Sequence, residues 1–262
     1  IRQSPPPRRP LSARTPKMPS DAALDTAARL LTAAAAQGRS SLSEPEAKEF
    51  LAALGIPVPA GMLAKDGGAA AAALRSIGAP VVIKAVAAAL THKTEAGGVA
   101  FPIDSAEAAE AACARITASV ARHRPGLTLD GFLVEAYRPA QPEWILGLRV
   151  DPLFGPAIMF GLGGIYVEAL RQITFRLAPL READIDALLT EKPAMRLLVG
   201  GRGQSPAARE ALKHAIRRLS DLALRPESIR HIGEIEINPL TVTGEGVLAL
   251  DALIVLRPQE LP

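Results

Sequence analysis

Two hydrophobic periods alternate along the 262-residue chain. In "DAALDTAARLLTAAAA" apolar residues recur every three to four positions, whereas "GEIEINPL" alternates at every second position and "PVVIKA" is a short apolar run. The first pattern predicts a helix from Ser20 to about Ala36, ended by Gly38. Ser43 starts a second helix, because "SEPE" sets a capping box with Glu46, and Gly55 followed by Ile56-Pro57 stops it. From about residue 60, strands and helices alternate. "GMLAK" and "PVVIKA" predict strands around an Ala-rich helix over 68–77, "GGVAFPI" predicts another strand, and Ser105 caps a helix over 105–123. "GFLVEAY", "EWILGLRVD", "GPAIMFGL", "YVEAL" and "ITFRLAP" follow as closely spaced strands, nearer to an antiparallel meander than to βαβ units. Helices are predicted over about 181–190 and 205–224. Two final strands, "GEIEINPL" and "GVLALDALIVL", are joined by a turn at 243–246. The order predicts an α+β fold, with a small α/β lobe followed by a larger sheet with helices packed on it.

Composition narrows the function classes. The chain is 48% hydrophobic but 3% aromatic, so small residues carry much of the helix packing, and no apolar stretch approaches the roughly 18 residues of a membrane span. The pI of 9.2 suggests nucleic acid until the charge is located. Residues 1–17 hold Arg2, Arg8, Arg9, Arg14 and Lys17 and no acid; removing these five charges from the net +3 leaves −2 for the remainder. A folded part of that sign lacks the basic face of a nucleic-acid binder. The same segment has five prolines and is expected to be disordered. Its Arg-rich, acid-poor makeup mimics a transit peptide, but it is read as an upstream leader, since Met18 opens the natural-looking start "MPSDAALDTAARLL". The single cysteine, Cys113, excludes an internal disulfide and is expected to be a small buried helix residue. Four scattered histidines argue against structural zinc, and a reducing cytoplasm is the expected compartment.

Several residues carry candidate chemistry, each beside an ordinary alternative. Lys84 ends the apolar strand "PVVIKA", where it is either a snorkelling edge lysine or a point charge for phosphate. Gly97-Gly98 form either a plain turn or a loop that turns backbone N–H groups towards an anion. "GLGGIYVE" at 161–168 lacks the spacing and helix of a dinucleotide fingerprint. In an extended "EIEINPL", Glu234, Glu236 and Asn238 share one face while Ile235 and Ile237 point to the core. If the last two strands pair as a hairpin, Asp251 comes near Asn238. A carboxylate and an amide oxygen, completed by water and phosphate, are a common way to hold Mg²⁺; the alternative is a solvated strand face. His92, in "THKTEAGGV", is either a loop histidine or a nucleophile.

Together these segments resemble the ATP-grasp β subunit, or β-type domain, of ADP-forming acyl-CoA (acetate–CoA) ligases, relatives of succinyl-CoA synthetase. The resemblance runs from about Leu42 to Leu256 through "EAKEFLAALGIPVP", "GAPVVIKA", "THKTEAGGV", "FLVEAYRPAQPEWILGLRVDPLFGPAIMFGLGGIYVE", "FRLAPL", "GGRG" and "EIEINPL…ALDA". It implies an ATP-grasp domain over 41–257, after a tail and helix over 1–40, with ATP held between a small lobe (about 60–135) and a larger one (about 136–257 with 41–59). Lys48 and Lys84 match two lysines that reach nucleotide phosphates, with Gly97 and Gly98 in the phosphate loop. Glu135 and the residues after it match the hinge against adenine, and Glu143 matches the acid on the ribose hydroxyls. Asn238 and Asp251 match the magnesium ligands, Glu236 the acid that steadies a phosphohistidine, and His92 a second phosphate carrier. Thr94-Glu95 stands where the family often has Ser-Asp. The implied cofactors are ATP/ADP and Mg²⁺, and the implied partner is a CoA-binding α subunit with its own phosphorylated histidine. Two further readings stay open: a non-catalytic ATP-grasp module, and an ATP-grasp carboxylate–amine ligase needing neither His92 nor a CoA-binding partner.

Overall fold

The computed structural model describes residues 21–90, 93–139, 142–164, 172–195, 205–244 and 246–258. The Pro/Arg tail, His92, "YVEAL" and "GGRG" lie outside them. Helix α1 (Asp21–Ala36) is ended at Gly38, whose φ of 65° suits glycine, and α2 (Glu44–Ala53) starts after Ser43. There the Glu46 carboxylate accepts from the Ser43 N–H at 2.7 Å and pairs with Arg39 at 2.8 Å. The Arg39 bond is the largest influence holding Glu46 at about 2 rather than 4.5. A depressed carboxylate contributes stability above its unfolded value and loses it as pH falls through the folded one. Glu46→Gln should therefore flatten the fall of Tm between pH 4.5 and 2 by a few degrees, a modest effect because the pair is partly solvated. Calorimetric scans of both proteins across that window check this; parallel curves would exclude it.

The first sheet contains β1 (Gly61–Ala64), β2 (Val81–Val86), β3 (Val99–Ile103) and β4 (Gly131–Ala136), ordered β1-β4-β2-β3 with antiparallel neighbours. Helices α3 (Gly67–Ile77) and α4 (Ala106–His123) pack against it. Asp66 caps α3 by accepting from the Ala69 N–H at 2.8 Å, and Ser105 caps α4 through Ala108. Ala70, Ala73, Ala109 and Ala112 let the helices and sheet approach closely around Ile83, Ile116 and Val134. Cys113 is buried here, and burial raises its thiol to about 11, so it is an inert core residue.

The second sheet holds three strands of the predicted meander, but its first, "GFLVEAY", is β4 of the first sheet, where it pairs between β1 and β2. β5 (Trp144–Asp151), β6 (Gly155–Leu162) and β7 (Ile173–Leu177) are antiparallel neighbours, and β8 (Ile232–Thr243) joins the free side of β5. Helices α5 (Glu182–Leu188), α6 (Pro206–Ser220) and α7 (Pro226–Ile229) follow β7. Trp144 and Phe160 stack with ring centroids 5.5 Å apart in a core shared with Phe50, Leu51, Ile216 and Leu219. Ala27, Leu31 and Ala34 of α1 enter the same core, so the helix before residue 41 extends this packed unit instead of standing apart from it.

The last predicted strand is broken in two. β9 (Gly246–Ala249) pairs with the second half of β8, and β10 (Ala252–Leu256) with the first half. The cause is local. Pro239 has no N–H to give the ladder, and the Asp251 carboxylate accepts from the Ala252 N–H at 2.8 Å. The break sets Asp251 opposite Asn238, whose N–H donates to the Asp251 carbonyl at 3.3 Å. Among the described residues no helix is long and apolar enough to cross a membrane.

Candidate functional site

Helix α2 belongs to the larger core, yet its first turn reaches the small sheet. Glu44 and Lys48, four residues apart on one face, meet Lys84 of β2 and Glu135 of β4. In the register, Val82 faces Glu135 and Lys84 faces Leu133, so Lys84 and Glu135 are diagonal neighbours on one face. Glycine at 61 makes room for the acid, because a Cβ there would lie 2.9 Å from Glu135 Cγ.

The four side chains are buried and form a continuous charge cluster. Lys48 Nζ lies 2.9 Å from Glu44 Oε1 and 2.5 Å from Glu135 Oε1. Lys84 Nζ donates to Glu44 Oε1 at 2.7 Å and to the Leu250 carbonyl at 2.5 Å, and stands 3.1 Å from Glu135 Oε2. Lys93 closes the cluster, 3.2 Å from both Glu44 Oε2 and Asp251 Oδ1. Burial disfavours the Glu44 carboxylate, but Lys84, Lys48 and Lys93 outweigh it and hold the group well below the carboxylate range. Burial likewise opposes the charge on Lys84, and Glu44, Asp251 and Glu135 reverse the balance, raising it above ordinary lysine. Lys48 moves the other way, lowered by burial and by the neighbouring Lys84 charge. The sequence marked Lys48, Lys84 and Glu135; it missed Glu44 and Lys93. The Glu-x-x-x-Lys spacing in α2 was the available signal for Glu44. Lys93 had none beyond its place beside His92.

The Leu250 carbonyl ties Lys84 of the small sheet to the strand break in the large one, one residue from Asp251. On the other side of Asn238, its Oδ1 accepts from the Gly164 N–H at 3.3 Å and its Nδ2 donates to Glu236 Oε1 at 3.2 Å. Ile235 and Ile237 are fully buried behind them, as the alternation predicted. Glu143 precedes β5, and its carbonyl accepts from the Gly163 N–H at 2.8 Å. Burial raises its carboxyl. The glycines of "GLGG" are steric. A Cβ on Gly163 would lie 3.0 Å from Asn238 Oδ1 and 2.8 Å from the Trp144 carbonyl carbon, and one on Gly164 would overlap the Glu143 carboxylate.

Gly97 and Gly98 form the plain turn of the two alternatives. Their N–H groups close the turn on itself, donating to the Thr94 and Lys93 carbonyls at 3.0 and 2.6 Å, and do not face an anion. Glycine is needed there for space and conformation: Gly97 has φ +66°, and a Cβ on Gly98 would stand 3.0 Å from the Lys93 carbonyl oxygen.

The donor chemistry suits Mg²⁺. Among the described residues no three His, Cys, Asp or Glu side chains gather to form a metal cage. Asn238 and Asp251 instead offer one amide oxygen and one carboxylate on facing backbones. Mg²⁺ is typically held by one or two carboxylates, with water and phosphate oxygens filling the octahedron.

The family model for the ATP-grasp domain matches residues 33–256. The β subunit of an ADP-forming acetate–CoA ligase from Pyrococcus furiosus is 40% identical over 215 residues, which cover 82% of this chain and 91% of that one. The chain belongs to the ATP-grasp family, among the β subunits of ADP-forming acetate–CoA ligases. This ATP-grasp chain also resembles an acetyl-coenzyme A synthetase from Candidatus Korarchaeum cryptofilum solved with coenzyme A and Ca-AMPCP. That match is 41% identical, covers 88% of this chain and 100% of the other, and has a TM-score of 0.81. A second structure of that enzyme holds coenzyme A and Mg-AMPPCP, with its phosphohistidine segment pointing towards the nucleotide binding site. There the identity is 38%, the coverage 88% and 100%, and the TM-score 0.72.

Proposed function

We propose that this chain is the nucleotide-binding β subunit of a cytoplasmic acyl-CoA ligase that converts carboxylate, ATP and CoA to acyl-CoA, ADP and phosphate. The supporting observation is the contact of Lys84 with the Leu250 carbonyl, which joins the lysines at the small sheet to the Asn238–Asp251 pair at the large one. A nucleotide between the sheets then meets both. Lys48 and Lys84 neutralise its phosphates, Asn238 and Asp251 hold Mg²⁺, and Glu143 takes the ribose hydroxyls. Glu135 is committed through its carboxylate to the two lysines, so the adenine contact falls to the hinge residues after it. Gly97 and Gly98 shape the loop beside the phosphates. Mg²⁺ held by Asn238 and Asp251 would supply positive charge against the phosphates during transfer.

In the ATP-forming direction, of which acyl-CoA synthesis is the reverse through the same steps, the phosphoryl group comes from a partner. A CoA-binding α subunit forms the acyl phosphate and carries the phosphoryl group on its own histidine, which Glu236 steadies on arrival. His92 takes the group as a second carrier: its imidazole nitrogen bonds to phosphorus as the N–P bond to the partner histidine breaks and frees that imidazole, and the new N–P bond breaks in turn when an ADP β-phosphate oxygen attacks. Neutral imidazole is a good nucleophile near pH 7. Binding, orientation and charge supply the rest of the acceleration.

The chain alone should bind Mg-nucleotide and make no acyl-CoA from acetate, Mg-ATP and CoA. Adding the α subunit should restore synthesis, and His92→Ala should block it while sparing nucleotide binding. An acyl-CoA assay with and without partner reads this directly. Synthesis by the chain alone would overturn the two-subunit reading, and normal turnover by the variant would overturn the role of His92.

A further inference from the structure

We infer that Glu44 is the resident counter-anion of the phosphate lysines, a carboxylate that incoming nucleotide displaces and that thereby weakens nucleotide affinity. This rests on the nucleotide reading above and assigns a role to a residue outside it. Among the described residues, three ammonium groups and three carboxylates make up the cluster: Lys48, Lys84 and Lys93 with Glu44, Glu135 and Asp251. Their charges balance, so the cluster presents no net attraction for a phosphate chain as it stands. Something must give when an anion enters.

The contacts identify which group gives. Glu44 touches all three lysines, at 2.9, 2.7 and 3.2 Å. Glu135 touches Lys48 and Lys84, and Asp251 touches Lys93. Each lysine therefore keeps a second carboxylate if it lets go of Glu44. Glu44 itself keeps support, because it is the first residue of the ten-residue helix α2, where the helix dipole favours a negative charge. Lys84 also keeps the Leu250 carbonyl. Moving a lysine from Glu44 to phosphate thus leaves that lysine its second carboxylate and leaves Glu44 its other two lysines, and of the three carboxylates Glu44 is the one that every lysine of the cluster shares. Glu44 acts on nucleotide affinity only through the lysines, by occupying the charge that phosphate would otherwise meet.

Glu44→Gln keeps the size and removes the charge, leaving the cluster one positive charge in excess. Mg-ADP should then bind at least about tenfold more tightly, a low bound beside the roughly thousandfold that one unit charge about 4 Å from phosphate gives at an effective dielectric of about 20. The nucleotide-free protein should melt lower than wild type, and Mg-ADP should raise its Tm by more than it raises that of wild type. A merely structural ion pair predicts the opposite sign for affinity, since lysines left misplaced bind phosphate worse. The experiment is calorimetric titration of the full chain with Mg-ADP, for wild type and Glu44→Gln. Glu44→Asp is measured alongside in case the first variant fails to fold; it stays charged but cannot span all three lysines, and should tighten binding about two- to threefold. Tighter binding supports the inference. Equal or weaker binding by the folded variants, with wild type binding normally, overturns it and leaves the nucleotide reading intact. Wild type that fails to bind Mg-ADP overturns the nucleotide reading itself, and this inference with it.

Discussion

Asp251→Ala and Asn238→Ala should each abolish Mg²⁺-dependent nucleotide turnover by the assembled enzyme while leaving the fold in place. The two oxygens sit on backbones joined by the Asn238 N–H to Asp251 carbonyl bond, and neither side chain fills the core. Loss of an outer partner of a metal ligand costs roughly 10- to 100-fold in metal affinity, and loss of a ligand from a set of two should cost more. Asp251→Ala carries a second penalty, because Lys93 loses the carboxylate 3.2 Å away that helps place it beside Glu44. The Asp251 variant should therefore be the more defective. Turnover measured across a Mg²⁺ titration separates the cases: a metal-ligand defect shifts the Mg²⁺ requirement upward and is partly restored at high Mg²⁺. Wild-type activity in either variant at limiting Mg²⁺ would remove that residue from the metal pair.

Asn238 was legible because strand alternation fixes which residues share a face, and the buried Ile235 and Ile237 confirm that register. Asp251 was legible only as a near neighbour across a hairpin. The strand break that places it depends on Pro239 and on the Asp251 side chain bonding its neighbour's N–H, and apolar periodicity carries neither. Glu44 escaped for a different reason. "SEPE" is fully explained by helix capping, so nothing local called for a further role, and its bond to Lys84 spans 40 positions of chain. The Lys48–Glu135 bond spans 87. Such contacts follow from packing α2 on the large core with its first turn facing the small sheet, an arrangement supplied here by the family resemblance and not by pattern. Gly97 and Gly98 show the converse. The requirement for glycine was visible, but a sequence does not distinguish a turn that frees its N–H groups from one that uses them to close itself.

Lys84→Ala tests the same cluster with the charge reversed. Removing the ammonium leaves Glu44 and Glu135 each with fewer partners, and breaking a buried ion pair from one side costs about 3–5 kcal/mol. Lys48 still touches both acids, so the lower end of that range is expected, seen as a clear fall in Tm. Nucleotide affinity should fall about ten- to 150-fold, for a charge-assisted contact worth about 1.5–3 kcal/mol. The pH dependence has a definite sign. Lys84 is raised above 10.5, so its contribution is complete at neutral pH and is lost only as pH climbs through the higher folded value. Glu44 is depressed below 4.5, so its part of the pair is present above 4.5 and is lost as pH falls towards the folded value. The Tm gap between wild type and variant should therefore be widest around neutrality and close on the acid side below 4.5. Calorimetric scans over pH, with Mg-ADP titrations at pH 7, read both effects. A surface lysine would change stability by no more than about 0.5 kcal/mol at any pH, and that result, with affinity altered less than about threefold, would leave Lys84 a snorkelling side chain at a strand end.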